Sequence, residues 1–189
     1  MAGGGWNTAS GVSSFIGGGG GDTFGGPWPN TASGNWSAIL GGWNNTANGY
    51  SEVVGGGGNN TASGQYGGVA AGVPNQAAAN NTFGAGRFAQ ALDAGSFVWA
   101  DSSGGAFSSS DVNQFNVRAA GGVRLDNSTS LSFGNQTRQM LNLFGTSYGI
   151  GVQSSAAYFR SDHEFMWYRR GSHSDNFADP GAGGTLLMG

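Results

Sequence analysis

The chain has 189 residues, of which 39 are glycine and only 9% are charged, and its formal net charge is −3. Phosphate binding requires clustered positive charge, so we expect no nucleic-acid partner. The absence of cysteine excludes disulfides and thiolate metal sites. No apolar run approaches the roughly 20 residues that a membrane-spanning helix needs, so we expect no membrane insertion in this segment.

A five-residue phrase, Asn-Thr-Ala-x-Gly, returns through the first half of the chain. It begins at residues 7, 30, 45 and 60, with a degenerate copy at residue 75, so that copies from residue 30 onward start 15 residues apart. The longer first gap contains residues 22–26, which have the outline of a short extra copy. A fixed short period is typical of a solenoid. We therefore predict an all-β fold in which residues 1–86 form a β-solenoid, or β-roll, of ~15-residue repeats.

The phases within the repeat predict two short strands and two corners per coil. An alanine follows each Asn by two positions and an aliphatic residue follows it by nine, and we expect both to face inward. Stacked coils then form Asn, Thr and Ala ladders. Two glycines per repeat suit corners in which a positive φ would strain other residues. These glycines are Gly11, Gly34, Gly49 and Gly64, and then Gly19, Gly42, Gly57 and Gly72.

A coil this thin has little interior of its own. Ordering the backbone of fifteen residues costs on the order of 15–25 kcal/mol, whereas burying one Ile or Val contributes about 1.5–3 kcal/mol. We therefore predict that neighbouring chains supply the missing burial in a homotrimer. The predicted trimer core consists of Ile16, Ile39, Val54 and Val69.

The repeat phrase, the aliphatic phase and the paired glycines of residues 1–86 resemble the head repeats of YadA-type trimeric autotransporter adhesins. This resemblance implies left-handed β-rolls packed as trimers. Similar repeats occur in bacteriophage tail fibres, and residues 113–123 resemble the collar that follows such repeats. We accordingly expect a collar with junction strands over residues 87–130. Arg118 and Arg124 are expected to pair between chains with Asp101, Asp111 and Asp126.

Six aromatic residues of the repeats fall on phases that we place outside the coil. There they either stack on sugar rings or pack at the seam between chains. The six are Trp6, Trp28, Trp36, Trp43, Tyr50 and Tyr66.

Residues 131–189 are predicted to form a small β-rich distal domain. Runs bounded by Gly, Ser or Asp predict strands at 150–152, 157–160, 165–169 and 185–188, and residues 133–144 suggest one opening helical turn. The order of the motifs Tyr-Phe-Arg, Phe-x-Trp-Tyr and Gly-Ser-His-Ser-Asp resembles the distal region of tail-fibre-like proteins. The domain is therefore expected at one end of the fibre.

The distal domain contains the candidate receptor site. Aromatic rings suit sugar faces, and guanidinium groups suit carboxylates such as those of sialic or uronic acids. The alternative is a trimer core in which the aromatic residues lie inside and the arginines pair with Asp162, Glu164 and Asp175. The candidate receptor-binding residues are Tyr158, Arg160, Trp167, Tyr168, Arg169, Arg170 and His173.

The same domain contains the chain's two histidines beside carboxylates, in His163-Glu164 and His173-Ser174-Asp175. Their spacing is not that of zinc ligands, so we expect neither a metal nor a cofactor. A hydrolytic pair drawn from Asp162, Glu164, Asp175 and Asp179 is conceivable, but nothing in the sequence sets their separation. We predict no catalytic residue.

Together these patterns predict a structural and binding segment of a homotrimeric surface-attachment fibre. Its partners are other copies of itself and a cell-surface glycan or protein receptor. The predicted location is extracellular, on a virion tail or on a bacterial cell surface as an adhesin. Two alternatives stay open: a glycan-cleaving tailspike-like enzyme, and an ice-binding solenoid whose flat face would be only one Thr wide.

Overall fold

The computed structural model describes residues 3–21, 26–126, 137–144, 147–154, 156–170, 179 and 182–188. The regular structure in these residues is all β-strand, so the predicted all-β fold is confirmed. The chain divides into two compact units, Met1–Arg124 and Leu125–Gly189. Each is described below by itself.

The first unit is a solenoid built from two parallel seven-stranded sheets. Odd-numbered strands form the first sheet and even-numbered strands form the second. The strands are β1 (Thr8–Ala9), β2 (Phe15–Ile16), β3 (Thr31–Ala32), β4 (Ala38–Ile39), β5 (Thr46–Ala47), β6 (Val53–Val54), β7 (Thr61–Ala62), β8 (Gly68–Gly72), β9 (Gln76–Ala77), β10 (Phe83–Gly86), β11 (Ala89–Ala91), β12 (Phe97–Ala100), β13 (Phe107–Ser108) and β14 (Phe115–Arg118).

The strand register places equivalent residues of successive repeats beside one another. Thr46 pairs with Thr61 and Ala47 with Ala62 in the first sheet, and Val54 pairs with Val69 in the second. The predicted Thr and Ala ladders are therefore present. Both sheets continue past residue 86, where we expected the collar to begin, as far as β13 and β14.

The longer first gap adds no coil among the described residues. β1 pairs directly with β3, with Thr8 beside Thr31. Gly21 and Pro27 make an isolated antiparallel bridge in this gap. The expected extra copy at residues 22–26 lies mostly outside the described residues.

The interior of the solenoid contains one alanine and one aliphatic residue per coil. Ile16, Ile39, Val54 and Val69 are at most 1% exposed in the single chain, and they pack with the alanines of the first sheet. Our prediction that these four side chains face neighbouring chains is therefore wrong. Because a small alanine lies opposite each aliphatic residue, one coil closes its own interior. Because neighbouring residues of a strand face opposite ways, the residue before each aliphatic one points outward.

A ladder of buried asparagines joins the coils along one corner. The side-chain oxygen of Asn45 accepts hydrogen bonds from the backbone N–H of Asn60 at 3.0 Å and from its Nδ2 at 3.1 Å. Nδ2 of Asn45 donates in turn to the carbonyl of Gly57 at 3.0 Å. The ladder consists of Asn7, Asn30, Asn45, Asn60 and Asn75. It ends where the oxygen of Asn75 accepts the backbone N–H of Ala89.

The two glycines of each repeat have different roles. Gly42 and Gly57 have φ values of 93° and 88°, as predicted for a corner. Gly34 and Gly49 do not have a positive φ. They are required because a Cβ at Gly34 would overlap the carbonyl oxygen of Gly49 in the next coil. The positive φ of this second corner falls two residues later, on Ser13, Trp36, Ser51, Tyr66 and Asn81.

The last coil contains an ion pair within one chain. Nε of Arg118 lies 3.4 Å from a carboxylate oxygen of Asp101, whereas we expected these residues to pair between chains. Hydrogen bonds from the backbone of Ala120, then from Ser103 and Arg118, lower the pKa of Asp101 to about 2. The Arg118 guanidinium also lies 5.3 Å from the ring centroid of Phe107. These contacts tie β14 to the coil before it.

The second unit contains a three-stranded and a two-stranded antiparallel sheet. Its strands are β15 (Arg138–Phe144), β16 (Tyr148–Gln153), β17 (Ala156–Arg160), β18 (Trp167–Arg169) and β19 (Thr185–Met188). β16 is the central strand of the larger sheet, and β18 pairs with β19. The four predicted strands are confirmed, with β18 beginning at Trp167 rather than at residue 165. The predicted helical turn would open at residues 133–136, which lie outside the described residues. The rest of that segment, residues 138–144, is a strand along β16, with Leu141 beside Ile150.

Replacing Asn45 with alanine is expected to destabilise the solenoid by on the order of 3 kcal/mol, because it leaves the buried backbone N–H of Asn60 without an acceptor. It also removes the donor to the carbonyls of Gly41 and Gly57. Urea unfolding monitored by circular dichroism measures this loss. The matched control is Asn48→Ala in the same coil, where the side chain is exposed and the expected change is within about 0.5 kcal/mol. Equal losses in the two variants would contradict a stabilising role for the ladder.

Candidate binding surfaces

The predicted receptor residues divide between two places in the second unit. Tyr158 and Arg160 lie on β17, and the guanidinium of Arg160 is 5.2 Å from the ring centroid of Tyr158. Gly151 of β16 lies beside Tyr158, and a Cβ there would meet the Tyr158 ring. The missing side chain therefore makes room for this ring on the sheet.

Trp167 belongs to a different group, an apolar cavity of about 510 Å³ that it lines with Phe159, Phe165 and Met166. The Trp167 side chain is 58% exposed. Sequence reasoning missed the other three residues because it grouped side chains by arginine content. Alternation in the sequence places Phe165 and Trp167 on one face of an extended segment. It does not place Met166 or Phe159 with them, although both line the same cavity.

The remaining predicted residues are only partly described. Arg169 ends β18, and Arg170 follows it with a φ of 59°; both are exposed. His173 and the side chain of Tyr168 lie outside the described residues. Within the described part of the chain, no three His, Asp or Glu side chains are grouped as a metal site would require.

The outward face of the second sheet has a continuous apolar row. Phe15, Val53, Phe83 and Phe115 are each at least 39% exposed. The rings of Phe83, Phe97 and Phe115 stack on one another, with centroid distances of 5.0 Å and 4.7 Å. The row consists of Phe15, Ala38, Val53, Gly68, Phe83, Phe97 and Phe115, which are neighbours in the strand register.

The apolar row has no side chain at Gly68, where a Cβ would overlap the carbonyl oxygen of Val53. A notch of about 360 Å³ lies beside Gly68 and is also lined by Val53, Tyr66 and Phe83. No charged residue among those that the structure describes lines the notch. The face is therefore both apolar and indented.

The outward face of the first sheet is polar and wider than we expected. Thr31 and Thr61 project from it, and the exposed Ser33 and Ser63 form a second row two residues further on. Asn48 interrupts the serine row, and the threonine row ends because Gln76 follows Thr61 in the register. The hydroxyl rows are thus two residues wide but short, which disfavours ice binding.

The six aromatic residues lie on the outside, as predicted, and five of them form ring contacts within one chain. Trp28 and Trp43 meet edge to face, with ring centroids 5.9 Å apart. A second column consists of Trp36, Tyr50 and Tyr66, with centroid distances of 4.7 Å and 5.5 Å. We call these three residues the aromatic corner.

Comparisons with known proteins identify no relative: no protein-family model matches the chain, and neither does any curated protein or solved structure. The resemblance to adhesin and tail-fibre repeats therefore rests on the repeat residues alone. Among the described residues, no helix is long and apolar enough to cross a membrane.

The solenoid also buries one acid that sequence reasoning did not single out. Glu52 is 0% exposed, and neither carboxylate oxygen has a well-formed hydrogen bond to a described residue. Burial raises the pKa of Glu52 to about 7, against a smaller lowering from the backbone of Gly67. The sequence signal was its phase, because the equivalent positions in the two preceding coils are Ser14 and Ser37.

The stability of the solenoid is expected to fall as the pH rises from about 4.5 to about 7. Unfolded Glu52 ionises near its ordinary pKa of 4.5, whereas folded Glu52 keeps its proton until about pH 7, so ionisation favours the unfolded chain between these values. The expected loss is on the order of 3 kcal/mol. Urea unfolding at pH 4 and pH 8 measures it.

Glu52→Gln should remove most of this pH dependence, since the amide does not titrate. Glu164→Gln serves as the control, because Glu164 is an exposed acid and its replacement should leave the pH dependence unchanged. A wild-type chain whose stability is constant between pH 4 and pH 8 would contradict the assignment of Glu52 as a buried acid.

Proposed function

We propose that the chain is a structural and binding segment of a homotrimeric surface-attachment fibre, a tail fibre or a bacterial adhesin, with no catalytic role. The observation that carries this proposal is the apolar row on the outward face of the second sheet. Extended apolar patches of this kind mark interaction surfaces in soluble proteins. Here the patch runs from coil to coil along the solenoid, so it suits a partner that lies lengthwise against the second sheet.

The solenoid itself supports the role of a spacer. Its coils are joined by parallel strand pairing on two sheets and by the asparagine ladder along one corner. Coils stacked about 4.8 Å apart give seven strands a length of roughly 30 Å. Hydrogen bonding at every step makes such a rod resist bending.

The subunit contact that we propose differs from the predicted trimer core. Val54 and its equivalents are inside the coil, whereas Val53 and its equivalents face outward, one residue earlier in each strand. Association therefore uses the apolar row. The notch at Gly68 would receive a side chain of a neighbouring chain.

The second unit supports the receptor-binding part of the proposal. An exposed tryptophan beside an apolar cavity is a residue type that contributes strongly to binding. Arg160, Arg169 and Arg170 are exposed in the same unit and supply positive charge, so a glycan that carries a carboxylate is the ligand class that these residues favour. The phage tail fibre and the bacterial adhesin are both consistent with such a contact.

Light scattering of the chain in solution is expected to give three times the mass of 19.0 kDa. Val53→Glu combined with Phe97→Glu should shift the mass towards one chain, because charge in the apolar row opposes its burial. Thr46→Glu on the other sheet is the matched control and should leave the mass unchanged. A wild-type chain that is monodisperse at 19.0 kDa would overturn the trimer.

The receptor proposal is tested on a glycan array that contains sialylated, uronic-acid and neutral glycans. We expect binding to carboxylate-bearing glycans and at least a tenfold loss in Trp167→Ala. Leu143→Ala, which removes another exposed apolar residue of the second unit, should bind normally. Equal binding by both variants would contradict a role for Trp167, and release of reducing ends from a bound polysaccharide would contradict the absence of catalysis.

A further inference from the structure

The aromatic corner has a backbone conformation that its side chains do not favour. Trp36 and Tyr66 have φ values of 55° and 60°, in the left-handed region where non-glycine residues are uncommon and asparagine is tolerated best. Other coils place Ser13, Ser51 and Asn81 at the same corner. The fold therefore does not need large aromatic side chains at this position.

Packing does not account for these residues either. The side chains of Trp36, Tyr50 and Tyr66 are 50%, 38% and 60% exposed, so they fill no core of the chain. Strained conformations that a fold retains without a packing reason cluster at functional sites. The aromatic corner is thus a candidate site on grounds of both strain and exposure.

The corner is also held rigidly. The backbone N–H of Trp36 donates to the carbonyl of Val12 at 2.8 Å, and that of Tyr66 donates to the carbonyl of Tyr50 at 3.0 Å. The Tyr50 ring lies edge to face with both of its aromatic neighbours. A ligand would meet rings that are already ordered, so binding would lose little conformational entropy.

The surroundings of the corner indicate the chemistry of the ligand. Exposed Asn35, Gln65 and Asn81 lie next to the rings in sequence or one coil away, and their amides both donate and accept hydrogen bonds. Within residues 3–21 and 26–86 the single charged residue is Glu52, which is buried. Rings combined with neutral amides suit a ligand that has apolar C–H faces and many hydroxyls but no charge.

We propose that the aromatic corner binds an uncharged polysaccharide, with the sugar chain lying along the solenoid axis across three successive coils. The rings of Trp36 and Tyr66 pack on the C–H faces of sugars. The Tyr50 ring is inclined by 75° and 74° to its two neighbours, so it contacts the sugar chain between them through its edge. The neighbouring amides bond the sugar hydroxyls. This site is separate from the arginine-containing residues of the second unit, which favour acidic glycans. It requires neither the trimer nor the proposed receptor site.

The test is affinity gel electrophoresis of the full chain in gels that contain a β-1,3-glucan, a mannan, a galactan or a dextran, with polysialic acid and alginate as anionic probes. Retardation by at least one neutral polymer is expected. The double variant Trp36→Asn and Tyr66→Asn should bind that polymer at least tenfold more weakly. Its melting temperature should not fall, because asparagine tolerates the left-handed conformation better than Trp or Tyr.

The control is Phe88→Asn, which relieves a φ of 60° at an aromatic residue away from the corner and should leave retardation unchanged. The proposal is overturned if none of the four neutral polymers retards the chain, or if the double variant is retarded as strongly as the wild type. It is also overturned if the double variant lowers the mass of the assembly in light scattering, since the rings would then pack between subunits.

Discussion

The rest of the solenoid depends on one buried asparagine amide per coil. An amide without hydrogen-bond partners inside a protein costs several kcal/mol. The asparagine ladder avoids this cost only if the backbone N–H of the next ladder asparagine lies within hydrogen-bonding distance of the side-chain oxygen. Asn30, Asn45 and Asn60 satisfy this condition with equal spacing. The ladder therefore selects parallel strands and a constant register. It does not fix the coil length, because Asn7 and Asn30 keep the ladder contact although they lie 23 residues apart in sequence. Where Ala89 replaces the asparagine, the spacing changes, and Phe83, Phe97 and Phe115 pair at intervals of 14 and 18 residues.

Because each coil closes its own interior, the candidate binding surfaces of the solenoid lie on its outer faces. One alanine and, in most coils, one aliphatic residue fill the interior, together with the asparagine ladder and Glu52, and most of the other side chains face outward. The apolar row, the hydroxyl rows and the aromatic corner are consequently properties of different faces of the same rod. In the assembly that we propose, chains contact one another through the apolar row and not through the buried core. The energetic shortfall of a thin coil is offset by its neighbours in the same chain, through strand pairing and the ladder.

Two features depart from the otherwise regular repeat. Glu52 places an acid at a phase that has serine in the preceding coils, and the aromatic corner places Trp36 and Tyr66 where small residues suffice. Tyr50 and Glu52 belong to the same coil. Natural folds break local rules of this kind mainly at functional or strained sites. The regularity of the remaining coils is what makes these departures visible.

The sequence alone determined the period, the all-β class, the two strands of each repeat, four of the five strands of the second unit and the outward position of the six aromatic residues. Each of these follows from phase and composition. Only the tertiary structure decided that Ile39 and Val54 are enclosed by their own coil, since burial depends on the residue opposite and not on phase. It likewise decided that residues 138–144 are a strand, because β16 supplies their hydrogen bonds. The same holds for Phe159, which lies on a different strand from Trp167 and lines one cavity with it only in the folded chain.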